Sequence, residues 1–74
     1  MRKYIFVPDL IKFEEEFILE GSSVEEVLKK LSVEFPYNSM LAMYEYTAYG
    51  RYFIGVVSCH EGDLPYLIGD DRYG

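Results

Sequence analysis

Residues 21–36, GSSVEEVLKKLSVEFP, contain the one helix that the sequence predicts. Ser23 and Glu26 have the spacing of a capping box, in which the hydroxyl and the carboxylate each bind a free backbone N–H at the helix start. Pro36 cannot continue a helix, so the helix is expected to end before it. Between these limits apolar residues recur at steps of three and four, which predicts one buried stripe: Val24, Val27, Leu28, Leu31 and Phe35.

Two strands are predicted on the amino-terminal side of this helix. Lys3 to Val7 is a run of aromatic and β-branched residues, which favours a strand. Pro8 predicts a turn, and from Leu10 to Leu19 apolar and polar residues alternate, which predicts a second strand that ends at Gly21. The alternation places Ile11, Phe13, Phe17 and Leu19 on one face and Lys12, Glu14, Glu16, Ile18 and Glu20 on the other, with Glu15 as a charged exception on the apolar face.

A hairpin is predicted after the helix, from Met40 to Ala48 and from Tyr52 to Cys59. Tyr49-Gly50 is its expected tight turn, because glycine tolerates a positive φ. Both faces of the hairpin are largely apolar, with Leu41, Met43, Ile54 and Val56 expected on one and Met40, Ala42, Tyr44, Tyr46, Phe53 and Val57 on the other.

The order of these elements predicts the fold class. Residues 1–74 are expected to form a single small α+β domain of order ββαββ, and Pro65 to Ile68 could add a fifth short strand. One helix would pack on one face of a small antiparallel sheet. Because one short helix cannot cover both faces, a homodimer is predicted, formed through the second hairpin or an edge strand. The alternative is that a folded-back carboxyl-terminal segment covers the second face within one monomer.

The composition argues against several classes of protein. Thirteen acidic and seven basic residues give a net charge of −6, and half of the residues are hydrophobic, which is typical of a globular domain. No apolar run approaches the roughly 20 residues that span a bilayer, so no membrane partner is expected. One cysteine and one histidine argue against a disulfide and a structural zinc site. With no signal-peptide pattern at the amino terminus, a cytoplasmic location is expected.

No catalytic or metal-binding pattern is found in the sequence. Cys59 and His60 are adjacent, and neighbouring strand residues point to opposite faces, so the imidazole is poorly placed to deprotonate the thiol. The acidic runs lack the ligand spacing of a calcium loop, and the few Lys and Arg residues do not cluster as a nucleic-acid site requires. We therefore expect no enzyme activity, no cofactor, no metal and no direct nucleic-acid binding.

Residues 17–36, FILEGSSVEEVLKKLSVEFP, resemble the strand-to-helix entry of the small β-grasp sulfur carriers. The resemblance implies a ubiquitin-like fold and a carrier or adaptor function. Such carriers end in Gly-Gly, because their terminal carboxylate is adenylated. This chain has Tyr73-Gly74 at that place.

In size and composition the whole chain also resembles the small acidic inhibitors with which phages occupy DNA-binding proteins of their host. From residue 13 to 26 there are six acids and no base, and from 61 to 71 there are four acids and no base. The resemblance implies a non-enzymatic protein of the host cytoplasm. It would inhibit a basic nucleic-acid-binding protein, such as a histone-like nucleoid protein or a nuclease, by mimicking DNA phosphates. The predicted contact residues are Glu14, Glu16, Glu20, Glu61, Asp63, Asp70 and Asp71, with Tyr44 and Tyr46 as amphipathic contacts.

Two further interpretations of the same residues stay open. The net charge of −6 is also within the range that simply keeps a small domain in solution. Alternatively, the protein is an interaction module that binds through its tyrosine-rich face. Salt dependence distinguishes these functions, because binding between charged surfaces weakens as ionic strength rises whereas apolar contact does not.

Overall fold

The computed structural model describes residues 1–8 and 16–68, which form a five-stranded sheet with one helix. The strand order is β2-β1-β3-β4-β5 and all four pairings are antiparallel. This confirms the predicted α+β class and the fifth strand. The predicted turn after Pro8 and the first part of the long second strand lie outside the described residues. The elements are β1 Arg2–Val7, β2 Phe17–Gly21, α1 Val24–Glu34, β3 Ser39–Thr47, β4 Gly50–Cys59 and β5 Tyr66–Ile68.

The helix begins and ends where its local sequence predicts. The Ser23 hydroxyl accepts the Glu26 backbone N–H at 3.1 Å, and the Phe35 N–H donates to the Leu31 carbonyl at 2.8 Å as the last turn closes. The Glu26 carboxylate differs from the capping-box expectation, because it accepts the backbone N–H of Ser22 rather than that of Ser23. It also accepts the Ser22 hydroxyl at 2.9 Å, so the carboxylate fixes the residue that links β2 to the helix.

The core lies between α1 and one face of the sheet, which we call the inner face. Val27 and Leu31 are fully buried, as the predicted stripe requires. A row of stacked rings closes one end of this layer, because Phe17 stacks on Phe6 at 5.5 Å and on Phe35 at 5.9 Å between centroids. The sheet contributes Tyr4, Phe6, Leu41, Met43, Ile54, Val57 and Cys59 to the same cluster.

A β-bulge changes the predicted faces of β4. Tyr44 pairs with Phe53 and Met43 pairs with Gly55, so Ile54 is an extra residue in the ladder. One extra residue reverses the alternation that follows it. The predicted places of Val56 and Val57 are therefore wrong: Val57 is buried in the core, whereas Val56 pairs with Ala42 on the opposite face.

The hairpin turn is one residue earlier than predicted. Thr47 pairs with Gly50, so Ala48 and Tyr49 are the central residues of the turn. The Thr47 hydroxyl accepts the Tyr49 N–H at 3.2 Å and donates to the Gly50 carbonyl at 3.0 Å. Gly50 has the expected positive φ, +125°, but it does so as the first residue of β4.

Candidate interaction face

The sheet face away from α1, which we call the outer face, carries large apolar side chains that remain accessible to solvent. Alternation along β3 produces this face, because Leu41 and Met43 enter the core and their neighbours point the other way. Met40 is 55% exposed, Tyr46 51% and Phe53 47%. Cross-strand pairing places these residues on the outer face together with Ile5, Val7, Ile18, Ala42, Tyr44, Val56, Tyr66 and Ile68.

The centre of the outer face is closely packed, whereas its periphery is exposed. Ile5, on the central strand β1, is only 2% exposed and pairs with Ile18 on one side and with Tyr44 on the other. The Tyr44 ring meets the Phe53 ring edge-on at 5.5 Å. The face is thus a preformed apolar surface whose rings are already oriented by one another.

A groove of about 420 Å³ lies at one end of the outer face. Its apolar walls are Val7, Pro8, Met40, Ala42 and Val56. These residues come from the end of β1, the start of β3 and the later part of β4, where the bulge has brought Val56 to this side. The groove is shallow and open, so its shape suits a protruding apolar side chain better than an enclosed small molecule.

Basic residues lie at the opposite end of the outer face, and each is paired with an acid. Arg51 donates two hydrogen bonds to the Glu16 carboxylate, at 2.6 and 3.1 Å, and its guanidinium lies 5.5 Å from the centre of the Tyr44 ring. These hydrogen bonds lower the pKa of Glu16 and raise that of Arg51. Lys3 pairs with Glu20 at 3.8 Å.

These ion pairs bear on three of the predicted contact residues, which we call the predicted acidic strip: Glu14, Glu16 and Glu20. Glu16 and Glu20 are placed near the same face, but their charges are opposed by bases of the same sheet. Glu14, Asp70 and Asp71 lie outside the described residues. Glu61 and Asp63 are exposed in the loop after β4, where the Glu61 N–H donates to the Asn38 side-chain carbonyl at 2.7 Å.

The sheet edges offer little for strand addition. The Lys30 ammonium donates to the backbone carbonyl of Glu20 at 2.5 Å, which places a charged side chain at the edge strand β2. Charged lysines at an edge discourage pairing with another chain. At the other edge, β5 is only three residues long and follows Pro65, which has no backbone N–H to donate.

The only cysteine and the only histidine of the chain have different environments. Cys59 is 3% exposed, and burial raises the pKa of its thiol, so the thiolate nucleophile is disfavoured. His60 is exposed, with its Nε2 atom 2.9 Å from the Ser58 hydroxyl and its ring stacked on Tyr66 at 5.8 Å. The imidazole thus orients the Tyr66 ring at the margin of the outer face.

Several residues of the outer face were not among the predicted contact residues. Tyr44 and Tyr46 were predicted, and both lie on it. Met40, Phe53, Tyr66 and Ile68 were missed as contacts, although the hairpin alternation had already placed Met40 and Phe53 on the same face as the tyrosines. The signal available in the sequence was the second apolar face itself, which exceeds what one helix covers.

Comparisons with protein-family models, with curated proteins and with solved structures find no match for this chain. Among the described residues, no helix is both long and apolar enough to cross a membrane. Within residues 1–8 and 16–68, no cluster of three or more His, Cys, Asp or Glu side chains is arranged to hold a metal ion.

Proposed function

We propose that this protein is a binding module that docks a partner protein through the outer face of its sheet. The supporting observation is the group of half-exposed large side chains on that face, with Met40, Tyr46 and Phe53 each close to 50% exposed. Isolated surface hydrophobic residues are ordinary, but a contiguous apolar patch on a small soluble domain marks an interaction site.

The residue types on this face support protein binding in particular. Tyrosine and methionine are enriched at protein interfaces, because a tyrosine ring supplies apolar area while its hydroxyl keeps a polar partner. Tyr44 is already held by the Phe53 ring and the Arg51 guanidinium. A side chain oriented before binding loses less conformational entropy when the partner arrives.

Capture experiments with a matched pair of variants test this function. The tagged protein is incubated with a bacterial lysate at low and at high salt, and retained proteins are identified by mass. Tyr46→Ala removes an exposed ring from the outer face. Tyr37→Ala removes a ring of similar exposure that packs edge-on against Phe35, in the segment between α1 and β3.

We expect wild type and Tyr37→Ala to retain the same proteins from the lysate. Tyr46→Ala should lose these proteins at both salt concentrations. Truncating an aromatic contact that an interface buries costs about 2 kcal/mol or more, which is roughly a 30-fold loss of affinity. Retention of the same proteins by all three forms would contradict docking through the outer face.

Acidic mimicry of DNA is a second candidate. The net charge of −6 and the exposed Glu61 and Asp63 favour it, whereas the pairing of Glu16 with Arg51 and of Glu20 with Lys3 reduces the free charge of the predicted strip. If the protein mimics DNA, it should retain a basic DNA-binding protein at low salt and lose it at high salt. Tyr46→Ala should then have little effect on that retention. The same capture experiment therefore separates the two functions.

The β-grasp carrier function also remains a prediction. It concerns Gly74, which lies outside the described residues. A carrier would gain an adenylate adduct at that carboxylate in the presence of ATP and an activating enzyme. Measurement of the intact mass would detect it.

A further inference from the structure

We propose that the occupant of the outer face is a second copy of this chain, packed face to face about a two-fold axis that runs across the strands. This inference rests on the proposed function, since it names the partner that docks there. Sheets that pack face to face lie about 10 Å apart with interdigitating side chains, and a two-fold interface uses the same patch on both copies. The shape and the area of the face support this arrangement.

The two ends of the outer face have complementary shapes. The groove walled by Met40 and Ala42 lies at the start of β3, and Tyr46 stands half exposed near the end of the same strand. A two-fold axis across the strands reverses the strand direction of the second copy. It therefore brings the Tyr46 ring of each copy toward the groove of the other, and both grooves are filled at once.

The basic side chains of the outer face are already paired within one copy. Lys3 is paired with Glu20, and the Arg51 guanidinium lies over the Tyr44 ring and binds Glu16. The face-to-face arrangement therefore depends on shape and apolar area, and these have to overcome the repulsion between two chains of net charge −6.

The exposed area is sufficient for a weak dimer. Six large side chains of the outer face are about half exposed: Ile18, Met40, Tyr46, Phe53, Tyr66 and Ile68. With about 80–100 Å² from each, they offer about 500 Å² per copy, or about 1,000 Å² in total, which is the lower bound of specific interfaces. An interface of this size is typical of weak association, so the dimer has to be measured at concentrations up to the millimolar range.

The first test measures self-association by analytical ultracentrifugation over a range of protein concentrations. Met40→Glu places a charge in the groove wall, and Val33→Glu places the same charge on the exposed surface of α1, where Val33 is 76% exposed. Wild type and Val33→Glu should dimerise alike, and Met40→Glu should weaken the dimer at least tenfold with an unchanged circular dichroism spectrum. Equal dimerisation of the two variants, or a wild type that stays monomeric at millimolar concentration, overturns the proposal.

The second test changes the net charge without changing the outer face. Glu61→Lys combined with Asp63→Lys changes the net charge from −6 to −2, because each replacement changes the charge by +2. The proposed interface is apolar, so this variant should dimerise at least as tightly as wild type, because the repulsion between the two chains falls. Dimerisation that is tenfold weaker or more would show that the acidic loop holds the copies together, and it would overturn the apolar interface.

Failure of this inference differs from failure of the proposed function. A wild type that is monomeric, yet loses its retained proteins on Tyr46→Ala, overturns the dimer and leaves docking through the outer face intact. A monomeric wild type whose retained proteins are unaffected by Tyr46→Ala overturns both.

Discussion

Replacement of Tyr4 by phenylalanine is expected to make this protein more stable. Tyr4 is fully buried in the core, and its hydroxyl has no hydrogen-bond partner among the described residues. A buried polar group without a partner loses its hydrogen bonds to water on folding, at a cost of about 1–3 kcal/mol in protein mutational data. Tyr4→Phe keeps the ring in place and removes only this oxygen.

The magnitude follows from these two effects. Removal of the unpaired hydroxyl raises the unfolding free energy by about 1–3 kcal/mol. The small void left by one oxygen atom lowers it by part of that amount, so a net gain in unfolding free energy of about 1 kcal/mol is expected. For a domain of this size that corresponds to a melting temperature about 4–8 °C higher. In urea, with a slope of about 1 kcal/mol per molar for a small protein, the midpoint should rise by about 1 M.

The assay is urea unfolding followed by circular dichroism, with Tyr52→Phe as the control. Tyr52 is more than half exposed, so loss of its hydroxyl should change the unfolding free energy by less than about 0.5 kcal/mol. All forms must be compared at one protein concentration, because self-association adds to the apparent stability. A Tyr4→Phe variant that is less stable than wild type would show that the hydroxyl is satisfied in solution and would refute the reasoning.

Three other predictions concern the link between β2 and α1 and the core. A Cβ atom at Gly21 would lie 2.6 Å from Val27 Cγ2 and 2.9 Å from a Glu26 carboxylate oxygen, so Gly21→Ala should lower the unfolding free energy by about 1–3 kcal/mol in urea titrations. The hydrogen bond from the Ser22 N–H lowers the pKa of Glu26 from its ordinary value of 4.5, and the hydrogen bond from the Ser22 hydroxyl has a smaller effect in the same direction. The contribution of Glu26 to stability is therefore fully present above pH 4.5 and is lost as the pH falls through the lower folded pKa. Glu26→Gln should flatten the loss of stability on acidification below about pH 4.5, and an unchanged profile would contradict this. Because Cys59 is buried and its thiol pKa is raised, a thiol reagent should label it about 100-fold more slowly in the native state than in urea, and equally fast labelling would show that the strand end is open.

Local signals explain the parts of the fold that the sequence predicted. Ser23 and Pro36 limit the helix through contacts within a few residues, so α1 is where the sequence places it. Alternation likewise predicted which residues of β3 enter the core, because Leu41 and Met43 are buried there. These signals need no knowledge of the rest of the chain.

The bulge at Ile54 has no comparable local signal. It arises from how β4 pairs with β3, and it decides that Val57 rather than Val56 enters the core. The ion pair between Arg51 and Glu16 joins residues 35 positions apart, so charge counting along the chain assigned Glu16 to a free acidic strip. Of the outer face, only Tyr44 and Tyr46 were predicted as contact residues, because its full extent depends on the order of five strands.

For this protein, the amino-acid order alone determined the elements and the existence of a second apolar sheet surface, since periodicity, caps and turn residues act over a few positions. Only the tertiary structure decided which side chains share that surface, where its groove lies and which acids are neutralised. The physical reason is that strand register and cross-strand ion pairing join residues far apart in the chain, and their energies depend on distances that exist only after the sheet has assembled.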